Sequence, residues 1–127
     1  TWIATCASLQ TQGVGSEPKQ GNVIQSYTFK KDGSFDFKRT WFEDAQCKKE
    51  STKYGVEVES GKIKLGAESS NGFNPEGTVE ADFEYEGQAK DLGLIWLSKD
   101  KNTLRVGHDL KGGTMRSLLS YSEYKKK

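Results

Sequence analysis

The fold is decided by one stretch, Val23-Ile24-Gln25-Ser26-Tyr27-Thr28-Phe29-Lys30-Lys31-Asp32-Gly33-Ser34-Phe35-Asp36-Phe37-Lys38-Arg39-Thr40-Trp41. Large side chains recur at every second position on both sides of Asp32-Gly33, the period of a strand with one buried face. Between them Asp-Gly signals a tight hairpin, because Gly accepts positive φ and Asp bonds to nearby backbone. The stretch therefore predicts two antiparallel strands, Val23 to Lys30 and Phe35 to Trp41. Val23, Gln25, Tyr27 and Phe29 share one face of the first; Phe35, Phe37, Arg39 and Trp41 share one face of the second.

The same period runs outward in both directions. A strand is expected from Trp2 to Leu9, followed by a long loop from Gln10 to Asn22 that holds Gly13, Gly15, Pro18 and Gly21. Further strands are suggested by Tyr54, Val56 and Val58, by Ile63 and Leu65, by Val79 to Tyr85, by Leu92 to Leu97, by Leu104, Val106 and His108, and by Leu119 and Tyr121. Short polar turns at Ser60-Gly61, Glu86-Gly87-Gln88, Lys99 to Asn102 and Lys111-Gly112-Gly113 separate them, with a longer loop from Gly66 to Thr78. No window keeps the spacing of an amphipathic helix for long. The expectation is an all-β chain, an antiparallel up-and-down meander of eight or nine strands. Its apolar face is buried by closure into a barrel or, alternatively, by folding into a two-sheet sandwich.

Composition bounds what such a chain can do. Its 127 residues fit one domain, 1–127. Only 33% of residues are hydrophobic, yet three Trp, five Tyr and six Phe supply large buried areas per side chain. Lys+Arg 19 against Asp+Glu 18 leaves a net charge of +1, so nucleic acid and anionic membranes find no general basic excess. No stretch approaches the roughly 20 apolar residues of a membrane helix. One His, two Cys and one Met make an internal metal centre hard to assemble, and no cofactor is expected. Cys6 and Cys47 are far apart and outside any C-x-x-C arrangement, which favours a disulfide over a redox or zinc motif; the alternative is two buried thiols in a cytosolic protein. The chain opens at Thr1 on a strand pattern, without initiator Met or leader. A removed export signal would leave such a start, so the expected compartment is the exterior or the cell envelope, periplasmic and lipid-anchored forms included.

A Trp at the start of the first strand, a long first loop, a run of hairpins and an Arg near the last strand together resemble the calycins, the group of secreted barrels that includes lipocalins and avidins. Trp2 is similar to the Trp of their G-x-W signature, whose Gly would precede Thr1, and Arg116 to the Arg that packs across it. The spacing of Trp2, Cys6, Asp32-Gly33-Ser34-Phe35, Asp44 and Cys47 also resembles small lipocalin-like domains of bacterial exported proteins and lipoproteins. Thr103 to Asp109 is similar to the penultimate strand of streptavidin-like proteins, but the polar residues that cradle biotin there have no counterparts here. The resemblance implies a closed barrel that binds a small hydrophobic or amphipathic ligand. It also implies that Trp2 and Arg116 meet at the closed end.

Catalysis finds little support. His108 is the one group suited to act as a base near pH 7, but its neighbour Asp109 points to the opposite face of a strand. Ser117, Ser120 and Ser122 lack the G-x-S-x-G elbow that exposes a nucleophile. Glu80, Asp82, Glu84 and Glu86 stand on one face of one strand, reading as a solvated stripe or a cation-binding or docking edge. The terminal Lys125, Lys126 and Lys127 read as a solvated end.

Arg39 is the most informative polar residue, since a guanidinium on an aromatic inward face must be paired, stacked or directed at a ligand. In the binding reading it holds the acidic head of an amphipathic ligand, with Tyr27, Phe29, Phe37, Phe83, Tyr85 and Trp96 as walls. In the structural reading it reaches water or pairs with Glu43 or Asp44. Inward aromatics can also fill a narrow barrel, and the protein would then be an interaction or inhibitor module that recognises partners through its loops. A carbohydrate-binding surface with exposed Trp or Tyr is a further variant.

Overall fold

The computed structural model describes residues 1–10, 18–68, 76–85, 91–108 and 121–127, and side chains for all of these but 91, 108, 121 and 122. Nine strands follow in order: β1 Trp2–Ala4, β2 Ala7–Gln10, β3 Gln20–Phe29, β4 Ser34–Phe42, β5 Val56–Glu68, β6 Val79–Tyr85, β7 Asp91–Leu97, β8 Thr103–His108 and β9 Tyr121–Lys126. From β3 to β9 each strand pairs antiparallel with the next. β1 then pairs with both β9 and β3, which closes an eight-stranded barrel; β2 runs on along β3 as a ninth strand. Closure rather than a sandwich is the solution this chain adopts.

The β3–β4 hairpin forms as its residues dictate. Gly33 has φ 87°, and Asp32 accepts hydrogen bonds from the Ser34 backbone N–H at 2.8 Å and the Ser34 hydroxyl at 2.5 Å. The register sets Tyr27 opposite Phe37 and Phe29 opposite Phe35. Lys99 to Asn102 is likewise a turn, in which Asp100 accepts from the Asn102 N–H at 3.0 Å and the Ser98 hydroxyl at 2.6 Å.

Several sequence expectations need correction. Lys125 and Lys126, expected in a solvated end, are paired residues of β9. The expected loop from Gln10 to Asn22 gives up Gln10 to β2 and its last three residues to β3. The first strand is interrupted at Thr5 and Cys6, because β1 must lie between β3 and β9 while β2 follows β3 alone. Ser60-Gly61 is not a turn but the interior of the 13-residue β5. There the strand passes from β4, which it pairs through Lys62, to β6, which it pairs from Gly61 onward. A Cβ on Gly61 would lie 2.1 Å from the Glu84 carbonyl oxygen, so this glycine answers a close backbone approach. The long loop also starts later, since Gly66, Ala67 and Glu68 belong to β5. The expected turns at 86–88 and 111–113 lie outside the described residues.

The barrel centre is occupied by an aromatic plug. Tyr27 touches Phe37, Tyr124, Phe35 and Phe83 at ring-centroid distances of 4.9, 5.2, 6.0 and 6.0 Å, and Phe35 meets Phe83 edge-on at 5.5 Å. All five are buried and share one cluster with Ala81, Leu104 and Val106. Each fully buried ring contributes on the order of 1.5–3 kcal/mol, and tilted or edge contacts add about 0.5–1.5 kcal/mol per pair. The Tyr27 phenol is hydrogen-bonded to Tyr85 and titrates well above its usual range, through burial first and then the neighbouring Tyr85 and Tyr124.

Cys6 and Cys47 form the expected disulfide, with Cα atoms 5.9 Å apart. It ties the break between β1 and β2 to the turn after β4, a turn built on Asp44, whose carboxylate accepts from the Lys48 and Lys49 N–H groups at 3.0 and 2.8 Å. A disulfide is consistent with an oxidising compartment. No helix long and apolar enough to cross a membrane occurs among the described residues.

Two outcomes follow from this frame. Reducing the disulfide, with 41 positions between its ends, is expected to lower unfolding free energy by about 4 kcal/mol on the chain-entropy account, read from urea melts with and without reductant. Gly61→Ala is expected to cost about 2 kcal/mol or more, whereas Gly66→Ala, whose nearest neighbour is the Glu80 side chain at 3.3 Å, should cost much less; equal melts for the two variants would contradict the close-approach account.

Candidate functional site

Above the plug, at the end carrying the β3–β4 hairpin, the barrel holds a cavity of about 500 Å³. Phe29, Ile63, Val79, Ile95 and Leu104 line its walls, and Trp2 lines it from the closing strand. Trp2, Phe29, Ile63 and Ile95 also pack against the buried cluster, so the plug forms the floor. At the mouth stand Leu65 and Leu97, both exposed, together with Lys30 and Lys31 of the hairpin turn. Lys30 pairs with Asp36 at 3.0 Å. Lys31 is exposed and has no ion-pair partner among the described residues. The arrangement is an apolar cup with cations at its edge, within the usual size range of small-molecule sites.

The residues singled out from sequence fall into separate places. Phe29 and Trp2 line the cavity. Tyr27, Phe37 and Phe83 belong to the plug, and Tyr85 is half-buried beside Phe35 at 5.4 Å. Trp96 is not a wall: it alternates with Ile95, which packs inward, and so sits on the outer face. There its indole N–H donates to the Glu76 carbonyl at 3.2 Å, and Arg105 lies 4.8 Å from its ring. Arg105 thus covers one face of the ring. Arg116, like Asp109, Ser117 and Ser120, lies outside the described residues, as do the side chains of His108 and Ser122. The expected contact of Trp2 with Arg116 therefore falls outside them too.

Arg39 faces inward but at the opposite end. Along β4 it is four residues beyond Phe35, about 13 Å at the rise of a strand, and the Phe37 layer lies between it and the cavity. Its guanidinium stacks on Phe37 at 5.3 Å and pairs with Glu57 at 3.5 Å. Glu57 rather than Glu43 or Asp44 is the partner, because β5 register sets Glu57 opposite Arg39 and turns Val56 and Val58 outward, 46% and 62% exposed. The other Glu57 oxygen accepts from Lys19 at 2.6 Å and from the Trp41 indole N–H at 2.7 Å. Burial pushes the Glu57 carboxyl up, but bonds from Lys19 and Trp41 and the charges of Lys19 and Arg39 outweigh it, so it titrates below the usual range. Arg39 Nε is buried without an acceptor.

The sequence named most of the inward cavity residues only as strand markers, and it gave no sign of their depth along the barrel, which depends on inter-strand stagger. Lys30 reads only as the end of a strand and Lys31 only as a turn residue. On the outer wall, register sets Glu84 across from Lys62 and Asp82 across from Lys64, so opposite charges alternate across neighbouring strands. No cluster of three His, Cys, Asp or Glu able to hold a metal occurs among the described residues. No protein-family model, curated protein or solved structure matches the chain.

The Glu57 cluster gives a signed pH dependence. A carboxyl lowered in the folded state contributes stability above its unfolded value, about 4.3, and loses that contribution as pH falls through its folded value. Glu57→Gln is expected to cost about 1–3 kcal/mol at neutral pH, with the wild-type and variant curves converging in acid. Parallel curves down to the acid limit would contradict the assignment.

Proposed function

We propose that this protein is a non-enzymatic, lipocalin-like barrel of the cell exterior or envelope that binds a small amphipathic ligand in the cavity. The observation that carries this reading is the 500 Å³ apolar cup with Lys30 and Lys31 at its edge. An apolar tail removed from water against Phe29, Ile63, Val79, Ile95 and Leu104 supplies the driving force. A carboxylate or other acidic head at the mouth meets Lys31 while remaining near water, so neither partner bears the cost of full burial. The tail is short, because the aromatic plug ends the cup.

The acid-binding role that sequence reasoning gives to Arg39 passes in this reading to Lys31. Arg39 is already stacked and paired, and the plug separates it from the cup. A filled barrel acting through its loops is the competing reading, favoured by the plug alone.

The reading is tested by titrating a fluorescent fatty acid and its neutral methyl ester against wild type and three variants. Both probes are expected to bind wild type well below millimolar, the level near −4 kcal/mol. Ile95→Trp should fill the cup and abolish binding of both; Lys31→Met should weaken the acid roughly three- to tenfold relative to the ester; Arg39→Met should alter neither. Binding weaker than about millimolar for both probes, or a response to Arg39→Met in place of Lys31→Met, would overturn it.

A further inference from the structure

The three tryptophans differ in how far the fold engages them. Trp41 donates its indole N–H to Glu57 at 2.7 Å and packs on Tyr54 at 5.2 Å. Trp96 donates to the Glu76 carbonyl at 3.2 Å and lies under Arg105 at 4.8 Å. Trp2 lines the cup, yet it has no acceptor for its N–H and no ring or cation partner among the described residues. An indole at a cavity wall whose stacking capacity the fold leaves unused is a contact open to a ligand.

Register gives the cup two unlike flanks. Trp2 pairs with Tyr27, and Phe29 is the next inward residue of β3, so Trp2 and Phe29 are diagonal neighbours on one inner flank. The Phe29 ring is stacked on Tyr27 at 5.5 Å with 5° between their planes, which fixes how it stands. In the closed order of strands β6 lies across the barrel from β1, and β7 across from β3. Val79 and Ile95 therefore face the two rings from the other side.

The space between these flanks is shallow. On β7 the lining ends after Leu97 and Ile95, since the next inward position is Gly93, set against the Phe83 ring. On β8 it ends after Leu104, since Val106 belongs to the buried cluster. One two-residue step along a strand is about 7 Å, so a cavity of about 500 Å³ is at least as broad as it is deep. Roughly 150 Å³ holds one benzene, which leaves room here for two or three rings.

We propose that the occupant of the cup is a flat, ring-bearing acid rather than a straight-chain one, with its rings stacked on Trp2 and Phe29, its far face on Val79 and Ile95, and its carboxylate beside Lys31. This rests on the ligand-binding reading and names the class of ligand within it. Ring-on-ring contact adds to the burial of apolar area, an addition that a saturated chain does not make. A rigid ligand also gives up no internal rotations on entering. A chain gives up many and, in so shallow a cup, leaves part of its length in water.

The test is calorimetric titration of three acids of equal carbon number: naphthoic acid, which is flat, adamantanecarboxylic acid, which is rigid and round, and undecanoic acid, which is straight. Wild type is expected to bind naphthoate about tenfold or more tighter than undecanoate, with adamantanecarboxylate between them, although the chain has the most apolar surface to bury. Trp2→Leu and Phe29→Leu should each weaken naphthoate roughly three- to tenfold and change undecanoate little. Trp2→Phe, which keeps a ring in the closing strand, should retain most of the affinity. The NMR signals of bound naphthoate should move upfield in the ring current of Trp2 and lose most of that shift in Trp2→Leu. Val79→Ala should raise adamantanecarboxylate relative to naphthoate, and Trp96→Phe, on the outer face, should alter none of the three. Undecanoate bound as tightly as naphthoate, equal losses of all three acids from Phe29→Leu, or no upfield shift on binding would overturn the proposal and leave the ligand reading standing. Failure of all three acids to bind at millimolar concentration would overturn both.

Discussion

Three residues carry the topology. Trp2, Ile3 and Ala4 form the one strand with a barrel strand on each side that the meander itself does not supply, β3 on one edge and β9 on the other. Without that strand the sheet has two open edges, and its apolar face has no reason to curl shut. So short a closure is weak alone, since a few ladder bonds each contribute only about 0.5–1.5 kcal/mol net. Two features reinforce it. Trp2 places an aromatic body against the buried cluster, and the Cys6–Cys47 disulfide pins the chain immediately after the closing strand to the turn that follows β4. The disulfide thus secures the segment whose loss would open the barrel.

Closure fixes radius, and radius decides what the interior holds. An eight-stranded barrel is about wide enough for its own side chains, and the rings of Tyr27, Phe35, Phe37, Phe83 and Tyr124 take up the middle. Above them most inward strand positions are aliphatic, Ile63, Val79, Ile95 and Leu104, with Phe29 and Trp2 beside them. Smaller groups at the same radius leave a cup. Cavity and plug are therefore two consequences of one alternation pattern with different side-chain sizes along its length. Gly61 has a related part in this geometry: lacking a side chain, it lets the Glu84 carbonyl come close and leaves the space in which Phe35 and Tyr85 meet.

Much of this was legible in the chain. The period of two around Asp32-Gly33 gives the β3–β4 hairpin with its inward faces, and Cys6 and Cys47 are joined. What failed is what depends on a neighbour rather than on a strand's own residues. Gly61 has the look of a turn in isolation and is a strand residue because another backbone presses on it. Val56 and Val58 mark a strand without telling its faces, and pairing with β4 turns Glu57 inward, where it meets Arg39 and the Trp41 indole. Trp96 looks like a cavity wall by hydrophobicity, but parity with Ile95 puts it outside. Depth along the barrel is the deepest gap: alternation tells in from out, and only stagger between strands tells which inward residues share a layer.

The two cationic regions at the barrel ends illustrate why a buried charge is a poor guide to function. Inside the wall, Arg39 would be costly without compensation, so the sequence supplies Glu57, the Phe37 face and the shared network with Lys19 and Trp41. The more complete that compensation, the less of the charge remains for a ligand. Lys31 sits where water solvates it at no cost, so nothing in the fold requires a partner for it, and none stands beside it among the described residues. A group that stability does not need to neutralise keeps its charge available to an incoming anion. In a barrel with an apolar cup, such a cation belongs at the mouth, where an amphiphile can bury its tail while its head stays between lysine and solvent.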